Sequence, residues 1–148
     1  MNSIMISMKP EAVKAIASGK KRADIRKDHP RYINTPFRVY LYEMSGELKN
    51  RQKIGYTCFR YDGRGMVVGE VICNDVQKFN DGTGYEQASV IGMSTREIAE
   101  VLGGKEGYVL YFSDVQMYDT PKPLEAFGKK IPPHSWYYVD EGERRAYT

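Results

Sequence analysis

The chain has 148 residues, of which 41% are hydrophobic and 28% are charged. This length fits one domain, residues 1–148, with its own hydrophobic core. No apolar run approaches the roughly 20 residues that a helix needs to cross a bilayer. The N-terminus also lacks the basic segment and the apolar segment of a signal peptide. The composition argues against a membrane protein and predicts a cytoplasmic one.

The formal net charge of +3 is unevenly distributed along the chain. Residues 1–60 contain 13 Lys and Arg against 5 Asp and Glu, a balance of +8, and residues 61–148 have a balance of −5. A basic N-terminal half favours an anionic partner such as nucleic acid. The alternative is that these cations are scattered, solvated charges that share no face.

The first half of the chain predicts three strands and one helix. Residues 4–8 alternate in polarity and predict a strand. Pro10 suits the first turn of a helix over residues 10–18, which Gly19 ends. Residues 21–26 and 37–42 then alternate again, so each predicts a strand with one apolar face. A break begins at Ser45.

The second half predicts more strands and one capped helix. Residues 54–61 and 66–73 flank Asp62-Gly63-Arg64-Gly65, a pattern typical of a β-hairpin. A loop is expected at residues 80–84. Ser94 and Glu97 form a capping box for a helix over residues 94–102.

Residues 108–118 predict the longest strand, residues 120–128 a short helical turn, and residues 136–139 the last strand. Because short strands outnumber the two helices, the sequence predicts an α+β fold with a barrel rather than a parallel sheet.

Residues 19–26 read Gly-Lys-Lys-Arg-Ala-Asp-Ile-Arg and contain the strongest functional signal. Asp24 and Arg26 share one face of the predicted strand, and Lys21 joins them if the chain bends after Gly19. Two cations beside one acid suit a phosphate or a polar planar ligand, since arginine offers a fork and lysine a point charge. The alternative is a surface ion-pair cluster, worth roughly 0–1 kcal/mol per pair.

This segment resembles the G-x-K-x-x-[ED]-x-R motif of the ASCH family, which Gly19, Lys21, Asp24 and Arg26 match in order. The resemblance extends to Lys9-Pro10-Glu11, to the strand at residues 36–42 and to the Gly-Glu strand at residues 68–71. Residues 132–139 resemble the P-P-x-S-W-x-Y-V ending of a phage-like and Firmicutes-like subgroup. The resemblance implies a PUA-like, mostly antiparallel β-barrel with flanking short helices, and a role in binding RNA or a modified nucleotide.

The resemblance places the ligand site between the first helix and the barrel. Its core is Lys21, Asp24 and Arg26, and further lining residues are expected at Lys9, Arg38, Ser135 and Trp136. Aromatic side chains would stack bases, at about 1–3 kcal/mol per base. The alternative is that they pack the barrel. The candidates are Tyr40, Tyr42, Trp136, Tyr137 and Tyr138.

Whether the chain is an enzyme stays open at this point. The family includes a small amidohydrolase that acts on N4-acetylcytidine with a lysine, a threonine and a glutamate. Lys21 matches that lysine, but Asp24 stands where the threonine falls, and a carboxylate cannot replace a hydroxyl nucleophile without changing the mechanism. An amidohydrolase on N4-acylated cytidine, or a nuclease, using Lys21 and Asp24 is the alternative to a binding protein. A protein-interaction module is a third class, although it gives no reason for cations clustered beside an acid.

No metal or other cofactor is predicted. Cys58 and Cys73 lack the spacing of a metal site and are expected to be reduced packing residues. His29 and His134 each lack an acidic or nucleophilic partner in the sequence, so both are expected to be loop residues. The expected partner is therefore RNA or a modified nucleotide, and the oligomeric state is left open.

Overall fold

The computed structural model describes residues 3–47, 60–79 and 84–143. It contains six strands, three α-helices and two short 3-10 helices. The strands are β1 (Ser3–Met8), β2 (Ala23–Arg26), β3 (Phe37–Glu47), β4 (Arg60–Lys78), β5 (Tyr108–Lys122) and β6 (Trp136–Val139). The helices are α1 (Pro10–Ala17), α2 (Gly84–Ile91) and α3 (Thr95–Leu102), and the 3-10 helices are Leu124–Phe127 and Glu141–Glu143.

All six strands belong to one sheet in the order β2-β5-β4-β3-β1-β6. β1 pairs with β3 in parallel, and the other neighbours are antiparallel. The sheet curves into a half-barrel whose two end strands are β2 and β6. The predicted α+β, mostly antiparallel architecture is therefore confirmed.

Both faces of the sheet are covered, and all six residues of β1 are accordingly buried. The inner face packs Ile4, Val39 and Val71 against Val13 and Ile16 of α1. The outer face carries two further clusters, one against the 3-10 helix at Leu124–Phe127 and one against α2 and α3. α1 rests on the inner face, and the turn that follows it leads into β2, an end strand of the half-barrel.

Local sequence signals account for two of the helices. Pro10 begins α1, where its missing N–H is not needed. Ser94 Oγ accepts from the backbone N–H of Glu97, and Glu97 Oε1 accepts from the backbone N–H of Ser94. This is the predicted capping box, and Gly103 ends α3 in the left-handed conformation. α2, by contrast, was not predicted.

The hairpin expected at Asp62–Gly65 is wrong. β4 runs through these residues. Asp62 pairs with Ser45 of β3, and β3 continues to Glu47. A Cβ at Gly63 would overlap the carbonyl oxygen of Met44, and Gly65 has φ +67° beside a register shift. The glycines therefore serve a bulge and a close approach of two strands rather than a turn. The strand expected over residues 54–59 lies outside the described residues.

Within those three described segments, no helix is both long enough and apolar enough to span a bilayer.

Candidate functional site

The turn after α1 brings Lys21 back beside β2. Gly19 adopts φ +83°, which a residue with a side chain rarely adopts, and so ends the helix. The backbone N–H of Lys21 then donates to Ala15 O at 3.0 Å, which ties the turn to the helix that precedes it. The bend on which the sequence prediction depended is therefore present.

Lys21, Asp24 and Arg26 form one continuous chain of charged contacts. Lys21 Nζ lies 3.1 Å from Asp24 Oδ1 and donates to Ile91 O at 2.8 Å. Arg26 Nε donates to Asp24 Oδ2 at 2.6 Å. Lys21 is only 6% exposed and Asp24 only 7% exposed. The cluster is therefore buried, and the surface ion-pair interpretation does not describe it.

Arg26 connects the two ends of the half-barrel. Its Nη1 donates to Ser135 O at 3.3 Å and to Ser135 Oγ at 3.2 Å, and its Nη2 donates to Ser7 O at 2.9 Å. Ser7 belongs to β1 and Ser135 directly precedes β6, whereas Arg26 belongs to β2 at the other end of the sheet. The guanidinium of Arg26 therefore connects the β2 end of the sheet to its β1–β6 end through side-chain hydrogen bonds.

The neighbouring cations keep Asp24 ionised. Burial by itself would raise the pKa of this carboxyl, but the charges and hydrogen bonds of Arg26 and Lys21 outweigh that effect and lower the pKa below its ordinary value. With two cations and one anion, the cluster carries a net charge of +1. The contacts given above use two of the three N–H groups of Lys21 and four of the five of Arg26.

Ser135 lies beside this cluster, and Trp136 follows it at the start of β6. Ser135 accepts from Arg26 through its hydroxyl. The indole N–H of Trp136 donates to Asp28 O at 3.3 Å, and its half-buried ring packs on the inner core. A ligand that approaches Arg26 from solvent would therefore meet a hydroxyl and an indole.

Lys9 lies at the start of α1, and Arg38 lies on the other face of the sheet. Lys9 is the exposed N-cap residue of α1, and its carbonyl accepts from Val13 N. Arg38 alternates with Phe37 and Val39, which face the inner core, so its own side chain lies on the outer face. There Arg38 Nε is 2.9 Å from Glu70 Oε2. The structure does not bring Arg38 to the Lys21 cluster.

The tyrosines divide between core and surface. Tyr40 and Tyr42 are buried in the outer-face core, and Tyr40 Oη donates to Glu141. Tyr137 donates to Ile131 O, and burial raises the pKa of its phenol to about 12. For these three the packing alternative describes the structure. Tyr138 is half-buried against the inner core and lies edge-on to Trp136, with 5.2 Å between ring centroids.

Two cavities lie apart from the cluster. One of about 660 Å³ is bounded by the end of α3 and by Lys78 and Phe79. Another of about 320 Å³ lies between β4 and the loop before β3, with His29, Arg31 and Asn34 among its lining residues. Lys21, Asp24 and Arg26 line neither of these cavities. Arg26 is the most exposed of the three side chains, and its guanidinium contacts Ser135.

The described part of the chain contains no group of three His, Cys, Asp or Glu side chains that could hold a metal ion. Cys73 is buried in the inner core, where burial raises the pKa of its thiol to about 12. Cys58 lies outside the described residues.

The comparisons place this architecture among solved structures. The crystal structure of ASCH from Zymomonas mobilis superimposes with a TM-score of 0.70 at 19% identity, over 96% of this chain and 90% of that one. The chain has the ASCH fold. A Tyr-to-Phe variant of the same Zymomonas protein gives 0.70 at 19% identity over 97% and 94% of the two chains, and a Ser-to-Ala variant gives 0.69 at 18% over 96% and 91%.

No protein-family model matches the sequence, and no curated protein matches it. The ASCH fold is thus carried here by a sequence that differs from these structures at about four positions in five. The neighbours confirm the ASCH fold that the sequence resemblance implied.

Two contributors to the site were missed from the sequence. Ser7 and Ile91 contribute backbone carbonyl oxygens that accept from Arg26 and Lys21. Every residue type carries such an oxygen, so no sequence signal marks it.

Proposed function

We propose that this chain is an ASCH-domain protein of the phage-like and Firmicutes-like subgroup that binds RNA or a modified nucleotide. Its site is centred on Lys21, Asp24 and Arg26. The observation that carries the proposal is a buried charged cluster with one uncompensated positive charge, next to the half-buried Ser135 and Trp136. The ASCH fold of the chain supports it.

The excess charge is the physical reason to expect a ligand. Taking charges out of water is unfavourable, and buried ion pairs are often no more stable than well-packed apolar residues of similar volume. A network with a purely structural role would be expected to balance its charges. A phosphate, or the electronegative edge of a base, would complete this one by accepting a hydrogen bond from the N–H group that remains on Arg26.

The exposure of the three side chains indicates how a ligand would meet them. The Arg26 side chain is 18% exposed, more than those of Lys21 and Asp24, and it is bonded to accessible Ser135. We therefore assign direct ligand contact to Arg26, Ser135 and Trp136. Asp24 and Lys21 act behind them, with Asp24 holding the guanidinium in place through Nε.

The same geometry favours recognition over catalysis. Both oxygens of Asp24 accept from cations, and its lowered pKa makes this carboxylate a poor proton acceptor. Asp24 also occupies the position where the amidohydrolase of the ASCH family uses a hydroxyl nucleophile. We therefore expect the experiment to detect binding of a ligand without its hydrolysis.

The first test is binding of an unstructured single-stranded oligoribonucleotide by filter retention at about 50 and 200 mM salt. We expect binding at low salt that weakens as salt rises, because phosphate contacts release counterions. Arg26→Lys keeps the charge but removes the fork, so it should weaken binding by about 10-fold or more. The matched control is Arg96→Lys, because Arg96 is exposed on α3.

A nucleoside panel that includes N4-acetylcytidine separates the remaining outcomes. Binding without release of cytidine supports the recognition protein. Release of cytidine that disappears in Lys21→Met would instead support the amidohydrolase. If wild-type protein binds neither RNA nor any nucleotide at low salt, the proposed function is wrong.

A further inference from the structure

Tyr32 stands out on the surface near the candidate site. It is 77% exposed, although it carries a large aromatic ring. It lies in the loop between β2 and β3, which begins directly after Arg26. A ring with this exposure contributes little to the core.

The loop that carries Tyr32 is held by two side chains of β6. Tyr138 Oη accepts from the backbone N–H of Arg31 at 2.9 Å and from that of Tyr32 at 3.2 Å. Trp136 Nε1 donates to Asp28 O at 3.3 Å. These bonds hold the backbone at Asp28, Arg31 and Tyr32, while the Tyr32 ring stays open to solvent.

The three rings form one row, which we call the aromatic strip: Trp136, Tyr138 and Tyr32. Trp136 and Tyr138 are two residues apart on β6 and so share a face. The Tyr32 and Tyr138 ring centroids are 5.9 Å apart. At its other end the strip adjoins Ser135, which is bonded to Arg26. The strip thus runs from the charged cluster to the exposed ring.

Cations accompany the strip. Lys27 and Arg31 are exposed in the same loop, and Arg31 pairs with Asp28 at 3.0 Å, with both side chains more than half exposed. Arg31 also lines the cavity of about 320 Å³. A polyanion with unpaired bases meets complementary groups along this surface, with rings for its bases and cations for its phosphates.

We propose that Tyr32 is a base-stacking residue and that the ligand is a single-stranded RNA segment of at least two nucleotides. One nucleotide occupies the Arg26 site, and a neighbouring base stacks on Tyr32. This inference rests on the proposed function and narrows it, since an isolated nucleotide at Arg26 would not reach a second stacking position. Because the loop is already fixed, little side-chain freedom is lost on binding.

The experiment compares a strand with a single nucleotide. Fluorescence anisotropy would measure the affinity for oligo(A) of about eight nucleotides, a length within the site sizes of single-strand binders. AMP would be measured by competition. Tyr32→Ala should weaken oligo(A) binding by about 5- to 150-fold, the equivalent of about 1–3 kcal/mol, and should leave the affinity for AMP unchanged.

Two further variants make the result specific. Tyr32→Phe keeps the ring and should bind oligo(A) like the wild type. Ile131→Ala removes another exposed apolar side chain, 72% exposed, and should also bind like the wild type. Since Tyr32 is on the surface, all three variants should keep the wild-type melting temperature.

The failures are distinguishable. If oligo(A) binding depends on Arg26 but is unchanged in Tyr32→Ala, the stacking inference is wrong and the proposed function stands. Equal affinity for AMP and oligo(A) in the wild type would also overturn the inference. If the wild type binds neither probe, the proposed function fails and the inference fails with it.

Discussion

Asp24→Asn is expected to destabilise the protein strongly, because it breaks a buried network of charges. The carboxylate accepts from Lys21 Nζ and from Arg26 Nε, and an amide can accept from only one of them. Its NH₂ group then faces the other donor. Asp24 also shares the inner face with Leu110, its partner on β5, where little water can replace the lost bonds.

The magnitude follows from these two contacts. Hydrogen bonds to charged groups contribute about 1.5–3 kcal/mol each, and breaking a buried ion pair costs about 3–5 kcal/mol. The side chains are between 7% and 18% exposed, so solvent recovers a small part of this. We expect a loss of about 3 kcal/mol, a large share of the 5–15 kcal/mol typical of a domain.

Urea unfolding measures this loss directly. Trp136 is the single tryptophan of the chain and follows Ser135, which contacts Arg26, so its fluorescence reports on unfolding at the site. The control is Glu100→Gln, which removes a carboxylate from an exposed pair with Arg96 and should cost less than about 1 kcal/mol. A loss of that small size for Asp24→Asn, at an unchanged m-value, would refute the reasoning.

The pH dependence has a definite sign. Because the folded-state pKa of Asp24 is lowered, its contribution to stability is fully present above the unfolded pKa, about 3.9, and is lost as pH falls through the folded pKa. The difference in unfolding free energy between wild type and Asp24→Asn should be constant from about pH 5 to pH 8 and should shrink below about pH 4. A difference that grows on acidification would contradict a lowered pKa.

Two other variants test the packing of the sheet and the fixing of the loop. Gly69→Ala should lower the free energy of unfolding by about 1–3 kcal/mol, as measured with urea. The reason is that the new Cβ would lie 2.7 Å from Gln116 O and 2.9 Å from Met117 Sδ. Unchanged stability would show that β4 and β5 can separate there. Tyr138→Phe removes the acceptor that holds the backbone beside Tyr32. Tyr138→Phe should weaken oligo(A) binding less than Tyr32→Ala does, and it should leave AMP binding unchanged. Wild-type affinity for oligo(A) in this variant would show that the loop does not need the hydrogen bonds to Tyr138 Oη.

The glycines near residue 64 show why local signals can mislead. Asp62-Gly63-Arg64-Gly65 is typical of a tight turn, yet the chain continues through it as a strand. Glycine permits both a reversal and a close approach of neighbouring strands. Which of these occurs depends on the partner strand, here β3 at Met44 and Ser45, and a partner cannot be deduced from the segment itself.

Lys21 illustrates a different limit. A lysine in a short polar segment is ordinarily expected at the surface, where its removal would hardly affect stability. In the fold it is buried, because its turn is held against α1 and its Nζ reaches the end of α2 at Ile91. Since α2 was not predicted, neither was this burial. Lys21→Ala is accordingly expected to lower stability as well as ligand binding.

The sequence by itself determined the features that depend on neighbours along the chain. Alternation determined β1 and β3, the capping box determined α3, and a separation of two residues on one strand put Asp24 and Arg26 on the same face. The tertiary structure alone decided what surrounds them. It joined Arg26 to Ser7 and Ser135, which lie 19 and 109 residues away, and it put Arg38 on the opposite face of the sheet. The physical reason is that these contacts depend on strand order and on backbone carbonyl oxygens, which every residue possesses and no residue type reveals.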